Sequence, residues 1–380
     1  MKQSSYIVAA LGIFASAANA QTVTVYGNID ASVMTQSKSG ANGDGGRATS
    51  MVDATVVPSF YGIKGTDDLG AGMTAGFVLE GGFSSDNGMH ASPGVYQTQV
   101  FGREAKATIG GDWGNIGAGL QLDPALLASI STEPRRDTPS FSNLGFWIHS
   151  TLGNGGGVAS TASGSLQGGI YDDNSLTYTY FKNGLYVGLE YGFGGVAGAA
   201  SANSTQSIGL SYAISGFTVS ASYAQDKSAK TNIDGDSSQI AVFGAGYTWA
   251  DFAIRAQYGD FKITPAVYTT LDDNIKSWGI GFDWKASVAN KVNIAFYDAK
   301  DIGADFGGHT TEIALLDTYY LSKRTFIFGQ VASLDVGAKA GLSAGLGGFY
   351  TPSGATAPNG PFGTASNSTL YFGVGVNHAF

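Results

Sequence analysis

The feature that most constrains this chain is the strict alternation of apolar and polar side chains in segments of about ten residues, the length a tilted β-strand needs to cross a bilayer. Phe252, Ile254, Ala256 and Tyr258 fall on one face of such a segment, with Arg255 and Gln257 on the other. Trp278, Ile280, Phe282 and Trp284 alternate with Ser277, Gly279, Gly281 and Asp283. Val292, Ile294 and Phe296 repeat the pattern. So do Leu185, Val187, Leu189 and Tyr191 against Gly188 and Glu190, and Ile208, Leu210 and Tyr212 against Ser207, Gly209 and Ser211. The last segment reads Leu370, Phe372, Val374, Val376, His378 and Phe380. Half-buried strands of a soluble sandwich share this period, so the connections have to separate the two.

Those connections alternate in length. Short ones are predicted at 67–70, 111–114, 182–184, 215–216, 250–251, 286–290 and 321–324. Longer stretches rich in Gly, Ser, Asn and Asp lie between them, at about 35–51, 84–97, 121–171, 194–205, 226–237, 263–273, 299–309 and 337–367. Outer-membrane barrels have short turns at the periplasmic rim and long loops outside. The count predicts an all-β, transmembrane, antiparallel up-and-down barrel of about sixteen strands, a size that leaves an aqueous lumen.

The N-terminus agrees with export. Lys2 is followed by a mostly apolar stretch from Ile7 to Ala17 and by Ala18-Asn19-Ala20, a small-residue cleavage pattern. Residues 1–20 are read as a signal peptide, and 21–380 as a single barrel domain beginning at Gln21. The apolar stretch is well short of the roughly 20 residues of a membrane-spanning helix. No later stretch approaches that length, and in lipid only helices and closed barrels satisfy every backbone polar group.

Composition narrows the function. There are 57 glycines, 19 tyrosines, 22 phenylalanines and no cysteine, so disulfides cannot staple the chain. A net charge of −9 with scattered basic residues argues against a nucleic-acid partner. The four histidines, His90, His149, His309 and His378, show no metal-ligand or triad-like spacing, and His378 alternates with lipid-facing residues as a girdle residue would. Asp234-Gly235-Asp236 lacks the spacing of a twelve-residue calcium loop. The glycine runs lack the Lys-Ser or Lys-Thr of a phosphate loop. No cofactor, metal or catalytic residue is predicted. A lipid- or peptide-processing barrel enzyme with a site assembled from distant residues, and an adhesin acting through its loops, remain as alternatives.

Segment 121–171 stands apart. It contains Pro124, Pro134 and Pro139 and the charges Asp123, Glu133, Arg135, Arg136 and Asp137. A loop this long in a compact domain is usually functional. Glu80, Glu190, Arg255 and Asp283 alternate with lipid-facing neighbours and are predicted to line the lumen.

At this level the chain resembles the Gram-negative general porins, most closely their β-proteobacterial and neisserial branch. Val25-Tyr26-Gly27-Asn28-Ile29-Asp30 resembles the first strand. Tyr61 to Gly70, with Phe77, Leu79-Glu80 and Gly82-Phe83, resembles the second and third. Phe101-Gly102-Arg103 with Gly110 and Gly119 resembles the strands leading into a constriction loop, and Asp173 to Tyr178 the strand leaving it. Tyr320 to Thr325 resembles a late turn, and Val376 to Phe380 the aromatic C-terminus. The resemblance covers essentially the whole mature chain. It implies an outer-membrane channel for ions and small hydrophilic solutes, embedded in lipid as a homotrimer. It also implies an inward-folded third loop, 121–147, whose Glu133, Arg135, Arg136 and Asp137 face Arg103 and Lys64 across a constriction. Phe60, Leu120 and Thr177 stand where the family usually has arginine, and Glu104 where it usually has glutamine, so the basic wall is depleted. Glu104 and Lys106 are read as facing a neighbouring subunit. Phe60, Phe141, Phe146 and Trp147 keep a substrate-selective channel of the same fold open as an alternative.

Overall fold

A computed structural model describes residues 22–38, 46–90, 99–142, 144, 170–227, 237–263, 273–302, 309–336 and 367–380. The leader 1–20, Phe146, Trp147, His149 and the Asp234-Gly235-Asp236 motif lie outside the described residues. The strands are β1 (Thr22–Gln36), β2 (Ala48–Asp53), β3 (Phe60–Gly70), β4 (Met73–Gly82), β5 (Glu104–Gly111), β6 (Gly114–Leu122), β7 (Tyr171–Lys182), β8 (Leu185–Gly192) and β9 (Thr205–Ile214). They continue as β10 (Phe217–Asp226), β11 (Ser238–Trp249), β12 (Phe252–Ile263), β13 (Asp273–Trp284), β14 (Asn290–Asp301), β15 (His309–Tyr320), β16 (Thr325–Val336) and β17 (Asn367–Ala379). A short helix, α1 (Pro124–Ile130), follows β6.

From β3 onward each strand pairs antiparallel with its neighbours in sequence, and β1 pairs with β17 from Asn28↔Ala379 to Gln36↔Tyr371. On its other side β1 pairs with β3 through Thr22–Asn28 and with β2 through Ala31–Gln36. β2 and β3 therefore share one position, and the closed sheet is a barrel of sixteen staves. Residues 54–59 leave the sheet between them. Asp30 holds this excursion: its carboxylate accepts hydrogen bonds from the backbone N–H groups of Thr55 (2.8 Å), Val56 and Val57. It also accepts one from the Asn377 amide of β17 at 3.2 Å, so one side chain ties the excursion to the closing strand.

The alternation maps onto the two faces as predicted. Ile254 and Tyr258 on β12, Trp278, Ile280, Phe282 and Trp284 on β13, and Leu370, Phe372, Val374 and Val376 on β17 are exposed on the outer surface. Their neighbours Arg255, Gln257, Ser277 and Asn377 are buried inside. His378 is among the outward residues, where its Nδ1 lies 2.9 Å from Thr325 Oγ1. At the short-turn rim Phe217, Tyr247, Trp249, Phe252 and Phe282 form a continuous band of rings with centroids 4.4 to 5.8 Å apart, the aromatic girdle of a lipid–water interface.

Two predicted boundaries shift. The first short turn lies at Ala71-Gly72, past the predicted 67–70: both have positive φ (52° and 77°), and a register shift at Asp68/Gly70 lets β3 run on to Gly70. The predicted long connection 35–51 contains the start of β2, whose Thr49 and Met51 alternate with Ser50 and Val52 too briefly to read as a strand.

The outer band makes a quantitative prediction. Ile280→Arg places a charge on the lipid face and should destabilise the barrel by about 2–4 kcal/mol if it sits near mid-bilayer, less nearer a rim. Denaturant titration in lipid vesicles, followed by tryptophan fluorescence, measures this; an unchanged midpoint would mean that the face is not in lipid.

Candidate functional site

The segment after β6 does not project outward; it folds along the inner wall. Asp123 caps α1, accepting a hydrogen bond from the Ala125 N–H at 2.5 Å, and Pro124 opens the helix where its missing N–H costs nothing. That Asp-Pro pair was the available sequence signal for a helix the periodicity did not reveal. α1 packs against β8, β9 and β10. Its buried face, Pro124, Ala125, Leu126, Ala128 and Ser129, is mostly apolar, and the wall opposite is mostly small and polar.

Glycines make the approach possible. A methyl group on Gly209 would overlap the Pro124 carbonyl oxygen, one on Gly244 the Thr132 hydroxyl, and one on Gly281 the Pro134 carbonyl oxygen. Hydrogen bonds then fix the segment strand by strand. Gln257 donates to the Ser129 carbonyl (2.8 Å), the Thr132 and Ser220 hydroxyls are 2.6 Å apart, and Asn293 donates to the Pro134 carbonyl (3.1 Å). Tyr297 donates to Glu133 at 2.6 Å. Farther on, the Ser140 N–H donates to Thr55 in the 54–59 excursion (3.3 Å), and the Phe141 ring packs 5.1 Å from that of Tyr371 on β17. The segment thus spans the lumen's inner wall from β8 to the closing strand.

The charged residues separate into two kinds. Glu133 and Arg135 are buried at 1% and 3% exposure, between segment and wall. Glu133 accepts from the N–H groups of Arg135 and Asp137 (2.6 and 2.8 Å) as well as from Tyr297; Arg135 reaches the Ser140 carbonyl and Gln330, both at 3.4 Å. Burial raises the Glu133 carboxyl above its ordinary value and lowers the Arg135 guanidinium. Arg136, at a positive φ of 60°, turns away and is exposed. With Arg135 it lines a cavity of about 530 Å³ that also includes Val57, Lys291, Asn293 and Thr318. Lys291 lies 4.9 Å over the Tyr320 ring, and Arg136 is within electrostatic reach of both Tyr320 and Arg255.

Across the lumen Arg103 pairs with Glu80 (Nε–Oε1 2.5 Å) and lies 4.9 and 5.1 Å over the rings of Phe60 and Tyr171. Tyr171 feels both Arg103 and Asp137, which brings Asp137 to that side. Lys64 sits 4.8 Å over Tyr26, whose hydroxyl donates to Glu80 at 3.0 Å. Arg255 pairs with Asp283. Of the four segment charges predicted to face Arg103 and Lys64, Asp137 approaches that wall; Glu133 and Arg135 engage β14 and β16, and Arg136 turns toward β12 and β15.

Other placements differ from the sequence reading. Glu104 and Lys106 do not face a neighbouring subunit. Glu104 lies opposite Glu80 across the β4–β5 ladder and so shares the lumenal face, and Lys106 pairs with it at 2.7 Å. Period-two reasoning put them opposite Arg103, but the chain is not yet in strand geometry at Arg103. Phe141 is buried as an anchor, and Phe60 is covered by Arg103 and Tyr26. Glu190 faces inward as predicted, yet is buried beside Asp123 and Asp172. Sequence reasoning missed Glu312 and Tyr297, which are buried within electrostatic reach of Arg135.

A closed barrel with charged residues on its lumenal face and a polar, charge-bearing segment folded inside it defines a large β-barrel channel. The comparisons with known proteins give the family. A family model of Gram-negative porins matches residues 8–339, and the chain belongs to that family. It is 26% identical over the full length of both chains to outer membrane porin protein 32 of Delftia acidovorans. It is 30% identical, over 62% of each chain, to an outer membrane porin protein of Bordetella pertussis. The anion-selective porin from Comamonas acidovorans superposes with a TM-score of 0.75 at 22% identity, covering 95% of this chain and all of that one. The trimer form of OmpT, an outer membrane protein of Vibrio cholerae, gives 0.60 at 13% identity, covering 95% of this chain and all of that one. The protein is an outer-membrane porin, a water-filled channel for ions and small hydrophilic solutes.

The glycine contacts can be tested directly. Gly281→Ala should push the Pro134 turn off the wall into the lumen, lowering single-channel conductance and costing about 1–3 kcal/mol of stability as other overpacked sites do. Bilayer recordings with unchanged conductance would show that this turn does not bound the narrow part.

Proposed function

We propose that the described part of 121–147 is the constriction of this porin and that it sorts small ions by fixed charge. Support comes from the split between Arg135 and Arg136. Both line the cavity, but Arg135 is only 3% exposed and is held by Gln330 and the Ser140 carbonyl, whereas Arg136 is exposed there beside Lys291 and within electrostatic reach of Arg255. An arginine stays charged throughout the physiological range, and charge at a constriction acts where water is scarce. The wall's acids are tied to bases, Glu80 to Arg103, Glu104 to Lys106 and Asp283 to Arg255, and Asp137 of the segment lies on the Arg103 side, near Tyr171. Arg136, Lys64 and Lys291 therefore set the sign, and the channel prefers anions mildly, as the anion-selective structural relative from Comamonas acidovorans does.

The channel conducts by diffusion and performs no catalysis. The mature domain is 21–380, released from a leader that ends at Ala20, and it assembles as a homotrimer, as the OmpT trimer form does. Glu190 lies apart from the permeation path, buried behind α1.

Arg136→Glu should move the reversal potential under a salt gradient toward cation preference, because it inverts charge exposed to the lumen. Arg135→Gln should leave the reversal potential nearly unchanged and lower stability instead. The opposite ranking in planar-bilayer recordings would reject this assignment.

A further inference from the structure

Where the inward-folded segment begins, the barrel wall carries a group that conduction does not use. Asp123, Asp172 of β7 and Glu190 of β8 each bring a carboxylate oxygen to within 4.8 Å of the others, and all three side chains are buried. Oxygens ligating one calcium ion at roughly 2.4 Å must lie within about 4.8 Å of one another, so the spacing fits a single ion. Asp226 of β10 adds a fourth carboxylate within electrostatic reach of Asp172. Among the described residues, no lysine, arginine or histidine forms an ion pair with any of the three. Burying like charges together without a counter-charge is strongly unfavourable.

A second observation is independent of that spacing. Both carboxylate oxygens of Glu190, a residue only 7% exposed, are closed off from solvent and receive no well-formed hydrogen bond; the groups within reach of them are a second acid, Asp172, and the Ser175 hydroxyl. The neighbouring Ser175 hydroxyl is directed instead to the Gly119 and Asp172 carbonyls at 3.1 and 3.2 Å. Thr205, across from Gly192, is 6% exposed, and its hydroxyl has no partner; it projects over Gly192 into space a methyl group there would fill. Asp123 accepts from the Ala125 N–H and is reached by the Leu126 N–H and the Ser207 hydroxyl, and one of its oxygens still lies in the cluster. Carboxylate and hydroxyl oxygens gathered without a base match the coordination chemistry of a hard divalent cation.

We propose that Asp123, Asp172 and Glu190 bind a calcium ion that clips the start of the inward-folded segment to β7 and β8. Two ligands belong to the wall and one to the segment, so the ion crosslinks what the hydrogen bonds farther along only tether. The site lies behind α1 and supplies rigidity; the fixed charges of the constriction act separately.

Terbium tests this, because Tyr171 adjoins Asp172 and Tyr186 reaches the Pro124 carbonyl at 3.5 Å, close enough to sensitise a lanthanide. Protein refolded in detergent, free of bacterial lipid and stripped with EDTA, is titrated with Tb³⁺ under tyrosine excitation. Sensitised emission should saturate at one ion per chain, be displaced by Ca²⁺, and be lost in Glu190→Gln and in Asp172→Asn. Emission that never saturates, or that persists undiminished in both variants, overturns the proposal. Thermal melting of the unaltered protein gives a readout that needs no variant: Ca²⁺ should raise the Tm and EDTA restore it, and a Tm indifferent to Ca²⁺ overturns the proposal as well.

Discussion

The pairing of β1 with β17 is the interaction on which the rest of the molecule depends. In lipid an open sheet edge leaves a row of N–H and C=O groups with no water to satisfy them, each at a cost of several kcal/mol. The antiparallel ladder from Asn28↔Ala379 to Gln36↔Tyr371 removes both edges at once. It joins the first described strand to the last. Asp30 reinforces the seam from inside, accepting a hydrogen bond from Asn377 of β17 while holding the 54–59 excursion that interrupts the second stave. That excursion in turn receives the far end of the inward-folded segment, through Ser140 and Thr55.

Closure creates a lumen, and the lumen changes what a side chain costs. Outward positions must be apolar or aromatic, but inward positions can hold glycine, serine or charge, because they meet water or the folded segment. The wall uses this freedom unevenly. Opposite the segment it places Gly209, Gly244 and Gly281, where the backbone of one element presses on atoms of the other. Opposite the open water it places Lys64, Arg103 and Lys291, each resting over an aromatic ring that limits where its charge can go. The segment divides its own charges in the same way. Glu133 and Arg135, adjacent to Tyr297 and Gln330, became internal fastenings, while Arg136, one residue on and in a left-handed backbone conformation, returned to the lumen.

The acidic group at the segment's entrance belongs to the same logic, at its opposite extreme. Farther along, buried charge is matched by charge or by hydrogen-bond donors; among the described residues, Glu190 meets two further acids and a hydroxyl but no base. The proposed calcium crosslink at that end would complement the anchoring of Phe141 on Tyr371 at the other, holding the inward-folded segment at both ends.

The sequence by itself determined the barrel, because a period of two with every second residue apolar has one stable arrangement in lipid, and because seven short turns alternating with long connections leave little freedom in strand order. Turns such as Asn183-Gly184 were legible from their own chemistry, since both residues adopt positive φ. Helix α1 was legible in principle from Asp123-Pro124. What only the tertiary structure decided is which lumenal charges meet. Arg135 and Arg136 are chemically identical neighbours, and nothing local separates them; Glu312 and Tyr297, more than 150 positions away in the sequence, enclose the first, and the backbone twist at the second exposes it. Asp123, Asp172 and Glu190 likewise look unrelated along the chain. Their convergence depends on the register of β6, β7 and β8 and on the inward fold of the segment, long-range pairings that a one-dimensional pattern carries no information about.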